Sequence, residues 1–183
     1  MATVVKRSGD EVTVEMTVRL SGSLLEMEEA IQEATNAAGC RITEEALKRF
    51  DTDGSPIRVG ETKLTARGRD GKEYQTPYGV VRIERHVYQT SRGGRIYCPL
   101  EHHARIIRGA TPRFASQLSH KYAQLNAGAV QADLQQNHGR KVTRSYLQNV
   151  AEWVGSLATA KEETWEYALP RLDAPIATVV VSL

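Results

Sequence analysis

The side chains best suited to binding a nucleic acid lie between residues 140 and 149. They are cations, hydroxyls and amides: Arg140, Lys141, Thr143, Arg144, Ser145, Gln148 and Asn149. Arginine and amide side chains can pair bidentately with base edges, at roughly 1–3 kcal/mol each. We expect the last four of these residues to face the bases. The first three are expected to contact phosphate, which fixes the register on DNA rather than the sequence.

The segment that must position these side chains has the pattern of a helix-turn-helix. Val130 and Leu134, spaced i, i+4, mark a first helix that Gly139 can end in a left-handed conformation. Thr143 is a suitable N-cap for a second helix, flanked by the apolar pair Val142 and Leu147. The alternative is two packed helices with a polar connection and no nucleic-acid partner.

Charge is concentrated in the same part of the chain. Residues 102–150 carry seven Lys or Arg, with Asp133 as the one acid. They are Arg105, Arg108, Arg113, Lys121, Arg140, Lys141 and Arg144. The net charge of this basic zone is +6, whereas the whole chain of 183 residues carries only +2. A local excess of this size favours a polyanionic partner.

Composition narrows the class of protein. Hydrophobic residues make up 40% of the chain and charged residues 25%, which is ordinary for a globular protein. There is no apolar run near the roughly 18 residues that a membrane span needs. Charges interrupt the first residues, so we expect no signal peptide. Cys40 and Cys98 lie far apart, which favours reduced thiols and a cytoplasmic location. Aromatic residues are only 6%, which favours duplex DNA over single strands.

Hydrophobic periodicity predicts an α+β chain in four regions. These are a strand and helices at 1–56, antiparallel β-hairpins at 57–100, DNA-binding helices at 101–170, and a lone apolar strand at 171–183.

Within these regions the patterns predict individual elements. Residues 12–20 alternate as a strand, and Ser23 opens a helix that we expect to end at Gly39, with a second helix from Thr43. Asp70-Gly71 predicts a hairpin turn, followed by a longest strand at 79–88.

The patterns continue to the C-terminal side of the sheet. A short strand is predicted at 95–97, and Pro112 is expected to open the next helix. The second helix of the helix-turn-helix is predicted to continue towards Trp165 and Leu169.

Two other motifs resemble metal sites, but in each case we favour an interpretation without a metal. Cys98 with His102 and His103 could supply part of a zinc site, but a structural site needs four ligands. We favour a buried thiol beside a partly exposed histidine pair. Asp51-Thr-Asp53-Gly54 matches the opening of a calcium loop without its terminal Glu, so we favour a turn.

Three long segments resemble the N-terminal region of ISKra-type insertion-sequence transposases. They are FDTDGSPIRVGETKLTARGRDGKEYQTPYGVVRIERHVYQTSRGGRIYCPL, RIIRGATPRFASQLSHKYAQLNAGAVQADLQQNHGRKV and NVAEWVGSLATAKEETWEYALP. These are DDE-type enzymes with a ribonuclease-H-like catalytic domain. The resemblance implies that IATVVVSL, residues 176–183, is the first strand of that domain, with the first of three acidic metal ligands following it.

The resemblance therefore implies that this chain carries DNA recognition without catalysis. We expect no catalytic residue, no metal ligand and no cofactor within it, with Mg²⁺ serving only the complete transposase. The expected partner is double-stranded DNA at transposon ends, with homo-oligomerisation also open. Two alternatives are a free-standing helix-turn-helix transcriptional regulator and an intact nuclease, which would need the downstream acids.

Overall fold

The computed structural model describes residues 2–165, which form an α+β fold. The strands are β1 (Ala2–Ser8), β2 (Glu11–Met16), β3 (Ile57–Val59), β4 (Thr62–Gln75), β5 (Val80–Thr90) and β6 (Gly93–Tyr97). The helices are α1 (Leu24–Lys48), α2 (Pro99–His103), α3 (Pro112–Gln124), α4 (Ala127–His138) and α5 (Arg144–Glu162). None of the helices in this range is long and apolar enough to cross a membrane.

The N-terminal hairpin contains a strand that the pattern did not predict. β1 pairs antiparallel with β2, and the register shifts between Val4 and Lys6. That irregularity adds a residue at Val5 and breaks the alternation by which a strand is recognised in sequence. The strand predicted at 12–20 is shorter, because β2 ends at Met16.

Helix α1 is continuous, so the prediction of two helices separated at Gly39 was wrong. The predicted capping box is present at its start, with Ser23 and Glu26 exchanging hydrogen bonds. Gly39 is buried within the helix, where a Cβ atom would lie 2.3 Å from Cγ of Tyr78. Gly39 therefore serves close packing against the β4–β5 turn rather than helix termination.

The main sheet has the strand order β3-β4-β5-β6, antiparallel throughout. The hairpin turn predicted at Asp70-Gly71 was wrong, since both residues lie within β4 and pair with Arg85 and Glu84. The turn lies instead between β4 and β5, where the Thr76 hydroxyl accepts hydrogen bonds from the backbone N–H of Tyr78 and Gly79. The buried Thr76 therefore stabilises the hairpin turn that was expected at Asp70-Gly71.

Strand predictions on the C-terminal side of that turn are closer to the structure. β5 covers the predicted strand, with Val81 and Ile83 buried, although the 14-residue β4 is longer. β6 begins at Gly93, two residues before the predicted short strand. Pro112 opens α3 as predicted.

Two apolar clusters form the interior. One joins α1, the sheet and α2 through Leu47, Tyr74, Ile83 and Leu100. The other joins the last three helices, and its buried members are Ala110, Phe114, Ala115, Leu118, Val130, Leu134, Val142, Leu147 and Val150. The helix-turn-helix therefore has an apolar core of its own.

Helix α1 also supports the end of α4. Side-chain amides of Gln32 and Asn36 donate to the backbone carbonyls of Asn137 and His138, at 3.1 and 3.2 Å. These carbonyls belong to the last turn of a helix, where no intrahelical donor reaches them. The two bonds fix the end of α4 relative to the N-terminal region.

The C-terminal predictions lie partly outside the described residues. Helix α5 ends at Glu162, so it does not reach Trp165. Leu169 and the predicted strand at 171–183 lie outside the described residues, and the predicted division into four regions stays a prediction.

Candidate nucleic-acid interface

The helix-turn-helix forms as its sequence predicts. Gly139 ends α4 in the left-handed conformation, with φ of 62°. The Thr143 hydroxyl accepts from the backbone N–H of Tyr146 at 3.3 Å and caps α5. Val142 and Leu147 are both buried in the helical core, as expected for residues that flank a cap. The turn is therefore fixed at both of its ends.

Arg140 corrects the predicted interface. It is only 5% exposed, and its Nε donates to the Thr76 carbonyl at 3.1 Å. Its terminal nitrogen donates to Gln75 Oε1 at 2.6 Å, and the guanidinium lies 5.2 Å from the ring centroid of Phe114. The prediction that Arg140 contacts phosphate is therefore wrong, because the side chain is buried and two of its nitrogens donate to acceptors inside the protein.

Burial also changes the pKa of Arg140. Loss of hydration lowers its pKa, since no carboxylate within residues 2–165 forms an ion pair with it. Neutral carbonyl acceptors and the ring of Phe114 take the place of water around the charge. Arg140 thus joins the turn of the helix-turn-helix to the β4–β5 turn.

The other six predicted side chains are all exposed. They are Lys141, Thr143, Arg144, Ser145, Gln148 and Asn149. Five of them lie on the cap and first two turns of α5, opposite the buried residues Leu147 and Val150. This is the placement that recognition of a DNA groove by a helix requires.

Several of these exposed groups already have partners. Arg144 Nε donates to Gln131 Oε1 at 3.3 Å, and Gln148 Nε2 donates to Glu152 Oε1 at 2.7 Å. The Thr143 hydroxyl lies 3.2 Å from that of Ser145. The contact with Glu152 places a carboxylate beside Gln148, so a base-reading role for Gln148 requires that bond to break.

The basic zone is smaller on the surface than in the sequence. Arg140 is buried, and Lys121 Nζ lies 2.5 Å from Asp133 Oδ2, which holds the pKa of Asp133 below its usual range. The exposed cations that remain are Arg105, Arg108, Arg113, Lys141 and Arg144. Arg113 lies at a separate depression beside Tyr78 and His138. The zone is therefore divided between two surfaces.

A groove that the sequence did not predict runs beside α5. We call it the α5 groove, and its lining includes Glu73, Arg95, Arg108, Ser145, Asn149 and Trp153. It is open to solvent and has a volume of about 860 Å³. Arg95 is distant in sequence from the helix-turn-helix and no local pattern connects them. Arg108 belongs to the basic zone, but its position beside α5 depends on tertiary packing.

The motifs considered for metal binding have other roles. Within residues 2–165 no three His, Cys, Asp or Glu side chains converge as a metal site would require. Cys98 is half-buried as a free thiol, and burial raises its pKa, while His102 and His103 are exposed. This agrees with the favoured interpretation of that segment.

The segment that resembles a calcium loop forms a turn. Asp51 accepts from the backbone N–H of His86 at 3.0 Å, and Asp53 Oδ1 accepts from the backbone N–H of Ser55 at 2.8 Å. Both carboxylates are thus used within the protein, as the preferred interpretation of a turn predicts.

Comparison with known proteins adds no family assignment to this geometry. No protein-family model matches the chain, and no curated protein or solved structure matches it significantly.

Proposed function

We propose that this chain is the DNA-binding N-terminal portion of a DDE-type transposase and that α4 and α5 recognise duplex DNA at transposon ends. One observation carries the DNA-binding part: a capped helix presents Arg144, Ser145 and Asn149 to solvent, and the turn before it presents Lys141. The transposase part rests on the resemblance of the three long segments. The proposal assigns recognition to this portion of the chain and no catalytic step or cofactor.

The charge and polarity of α5 match a duplex. Lys141 and Arg144 are suited to phosphate contacts, because cations that neutralise phosphates release condensed counterions. Asn149 is suited to a base edge, since an amide can donate and accept at once. Two half-buried free thiols, Cys40 and Cys98, support a reducing compartment such as the cytoplasm.

A binding series at several salt concentrations tests the proposal. Fluorescence anisotropy would follow labelled duplexes selected from a randomised library that includes inverted-repeat sequences. We expect the affinity of the wild-type protein to fall steeply as the salt concentration rises. The salt slope is the slope of the logarithm of the affinity against the logarithm of the salt concentration, and Lys141→Ala/Arg144→Ala should lower its magnitude by about two.

The matched control for that variant is Arg58→Ala/Lys63→Ala. Both residues are exposed cross-strand neighbours on β3 and β4, so the double variant removes the same charge from another surface. Binding that responds equally to both variants, or that shows no dependence on salt, would contradict the proposal.

A free-standing transcriptional regulator is the second candidate, favoured by the exposed second half of α5. Trp153 and Leu157 are 43% and 47% exposed there and could pack against a second copy of the chain. Light scattering together with the selected sequences would separate the two functions. A stable dimer that selects palindromic half-sites one helical turn apart would support the regulator.

A further inference from the structure

The wall of the α5 groove opposite α5 is built by the sheet and by the loop before α3. The backbone N–H of Gln75 donates to the carbonyl of Gly109 at 2.8 Å, and that of Thr111 donates to the carbonyl of Gln75 at 2.9 Å. The loop therefore continues the edge of β4. These backbone bonds fix the loop before α3 to the end of β4.

Arg108 connects this wall to α5. Its guanidinium carbon lies 4.1 Å from the ring centroid of Trp153, which is a cation–π distance. Its backbone has φ of 52°, a left-handed conformation that non-glycine residues adopt rarely and at a cost. The fold thus holds an exposed arginine in an unfavourable conformation at the rim of the groove.

The charges in the groove leave two cations without carboxylate partners. Lys72 lies in the same wall, but its Nζ is 2.7 Å from Glu101 Oε1. Within residues 2–165, no carboxylate pairs with Arg95 or Arg108, and both are exposed. Two carboxylates also line the groove: Glu73 is exposed, and the half-buried Glu101 is paired with Lys72 and Arg85.

We propose that the α5 groove binds the phosphate backbone of the same duplex that the start of α5 contacts, with Arg95 and Arg108 as its cations. The inference rests on the proposed function, since Ser145 and Asn149 belong both to the groove and to the exposed face of α5. It extends the interface from one helix to the sheet. Each DNA strand carries one phosphate for about every 3.4 Å of helix axis, so a strand held beside Asn149 offers further phosphates to cations that line the same groove.

Substitutions of opposite sign test this inference in the full chain. Arg95→Ala should weaken binding of a labelled duplex about threefold to tenfold and lower the salt slope by about one. Glu73→Gln should strengthen binding about twofold to fivefold, because it removes a carboxylate that repels phosphate. A gain in affinity cannot arise from misfolding, which keeps the inference falsifiable if Arg95→Ala proves unstable.

The controls separate failure of the inference from failure of the proposed function. Arg58→Ala removes one exposed cation from β3, at the opposite edge of the sheet, and should change neither the affinity nor the slope. If Arg95→Ala and Glu73→Gln bind like the wild type while Lys141→Ala/Arg144→Ala loses binding, the groove inference is overturned and the proposed function stands. If all of these variants bind like the wild type, both are overturned.

Discussion

At the scale of single residues, Arg140 shows how a functional candidate can be structural. Its position at the turn of the helix-turn-helix and its charge both favoured a phosphate contact. The structure uses its guanidinium to satisfy a buried carbonyl and a side-chain amide of the β4–β5 turn. Arginine is suited to this because its planar fork presents several donors in fixed directions.

Arg140→Ala should therefore lower the free energy of unfolding by about 2–4 kcal/mol. The substitution leaves the buried carbonyl of Thr76 without a donor, which costs about 1–3 kcal/mol, and also removes the packing against Phe114. Urea unfolding monitored by circular dichroism would measure the change. Lys141→Ala, one residue along and exposed, is the control and should change stability by less than about 0.5 kcal/mol. Equal effects of the two substitutions would contradict the structural role of Arg140.

At the scale of elements, replacing a helical glycine by alanine should have opposite effects on stability at two positions. Gly39 of α1 meets the ring of Tyr78, whereas a Cβ atom at Gly155 of α5 would meet nothing within 4 Å. Ala is preferred to Gly by about 1 kcal/mol in a helix when space allows. The environment therefore decides the sign of the same substitution.

Gly155→Ala should stabilise the protein by about 0.5–1 kcal/mol, and Gly39→Ala should destabilise it. Thermal unfolding of the two variants provides the comparison. In a Tyr78→Ala background the obstacle is gone, so Gly39→Ala should become neutral or stabilising. If it remains equally destabilising there, the contact with Tyr78 is not the cause.

The cap of α5 gives a second prediction at this scale. Thr143→Ala removes the acceptor for the backbone N–H of Tyr146 and should cost about 1 kcal/mol of stability. Thr143→Asn keeps a capping acceptor and should retain nearly the wild-type stability, as denaturant unfolding would show. A loss of equal size in both variants would mean that the cap is not what Thr143 contributes.

The contact between β1 and α1 predicts a pH dependence. Hydrogen bonds from Arg7 and Lys48 lower the pKa of Glu45 from 4.5 to about 2. The folded state therefore holds the ionised carboxylate more favourably than the unfolded state does. This stabilisation is complete above about pH 4.5 and is lost as the pH falls towards 2.

Glu45→Gln lacks this ionisation and tests the assignment. The difference in unfolding free energy between the wild type and the variant should be largest near pH 7 and should shrink at pH 3. Chemical denaturation at both pH values gives the two differences. A difference that does not depend on pH would show that Glu45 titrates normally in the folded protein.

At the scale of the whole molecule, hydrogen bonds join the helix-turn-helix to α1 and to the sheet. Asn36 of α1 bonds the end of α4, and Arg140 bonds the end of β4, so each apolar cluster is tied to the other by buried or half-buried polar contacts. Coupling of this kind favours unfolding of residues 2–165 as one cooperative unit.

Coincident transitions would confirm this cooperativity. Trp153 and Trp165 report from the C-terminal side of the chain, while hydrogen exchange of β4 and β5 amides reports on the sheet. Both signals should give the same unfolding free energy in urea. A fluorescence transition that precedes loss of sheet protection would show that the helical region unfolds by itself.

Much of the helix-turn-helix was predictable because its determinants are local. The left-handed Gly139, the Thr143 cap and the pair Val142 and Leu147 each act within a few residues, so the sequence carries them in readable order. The exposed face of α5 follows from the same periodicity.

The remaining features depend on contacts between residues far apart in the chain. Arg140 is buried because the β4–β5 turn, more than 60 residues earlier, supplies its acceptors. Gly39 lies inside a helix because the ring of Tyr78 occupies the space that a side chain would need, and Arg95 reaches the α5 groove because the sheet places it there. Residue type and spacing determined which groups could bind a polyanion. Only tertiary packing decided which of these groups keep a free hydrogen-bond donor at the surface. A donor that already bonds an acceptor inside the fold is not available to DNA.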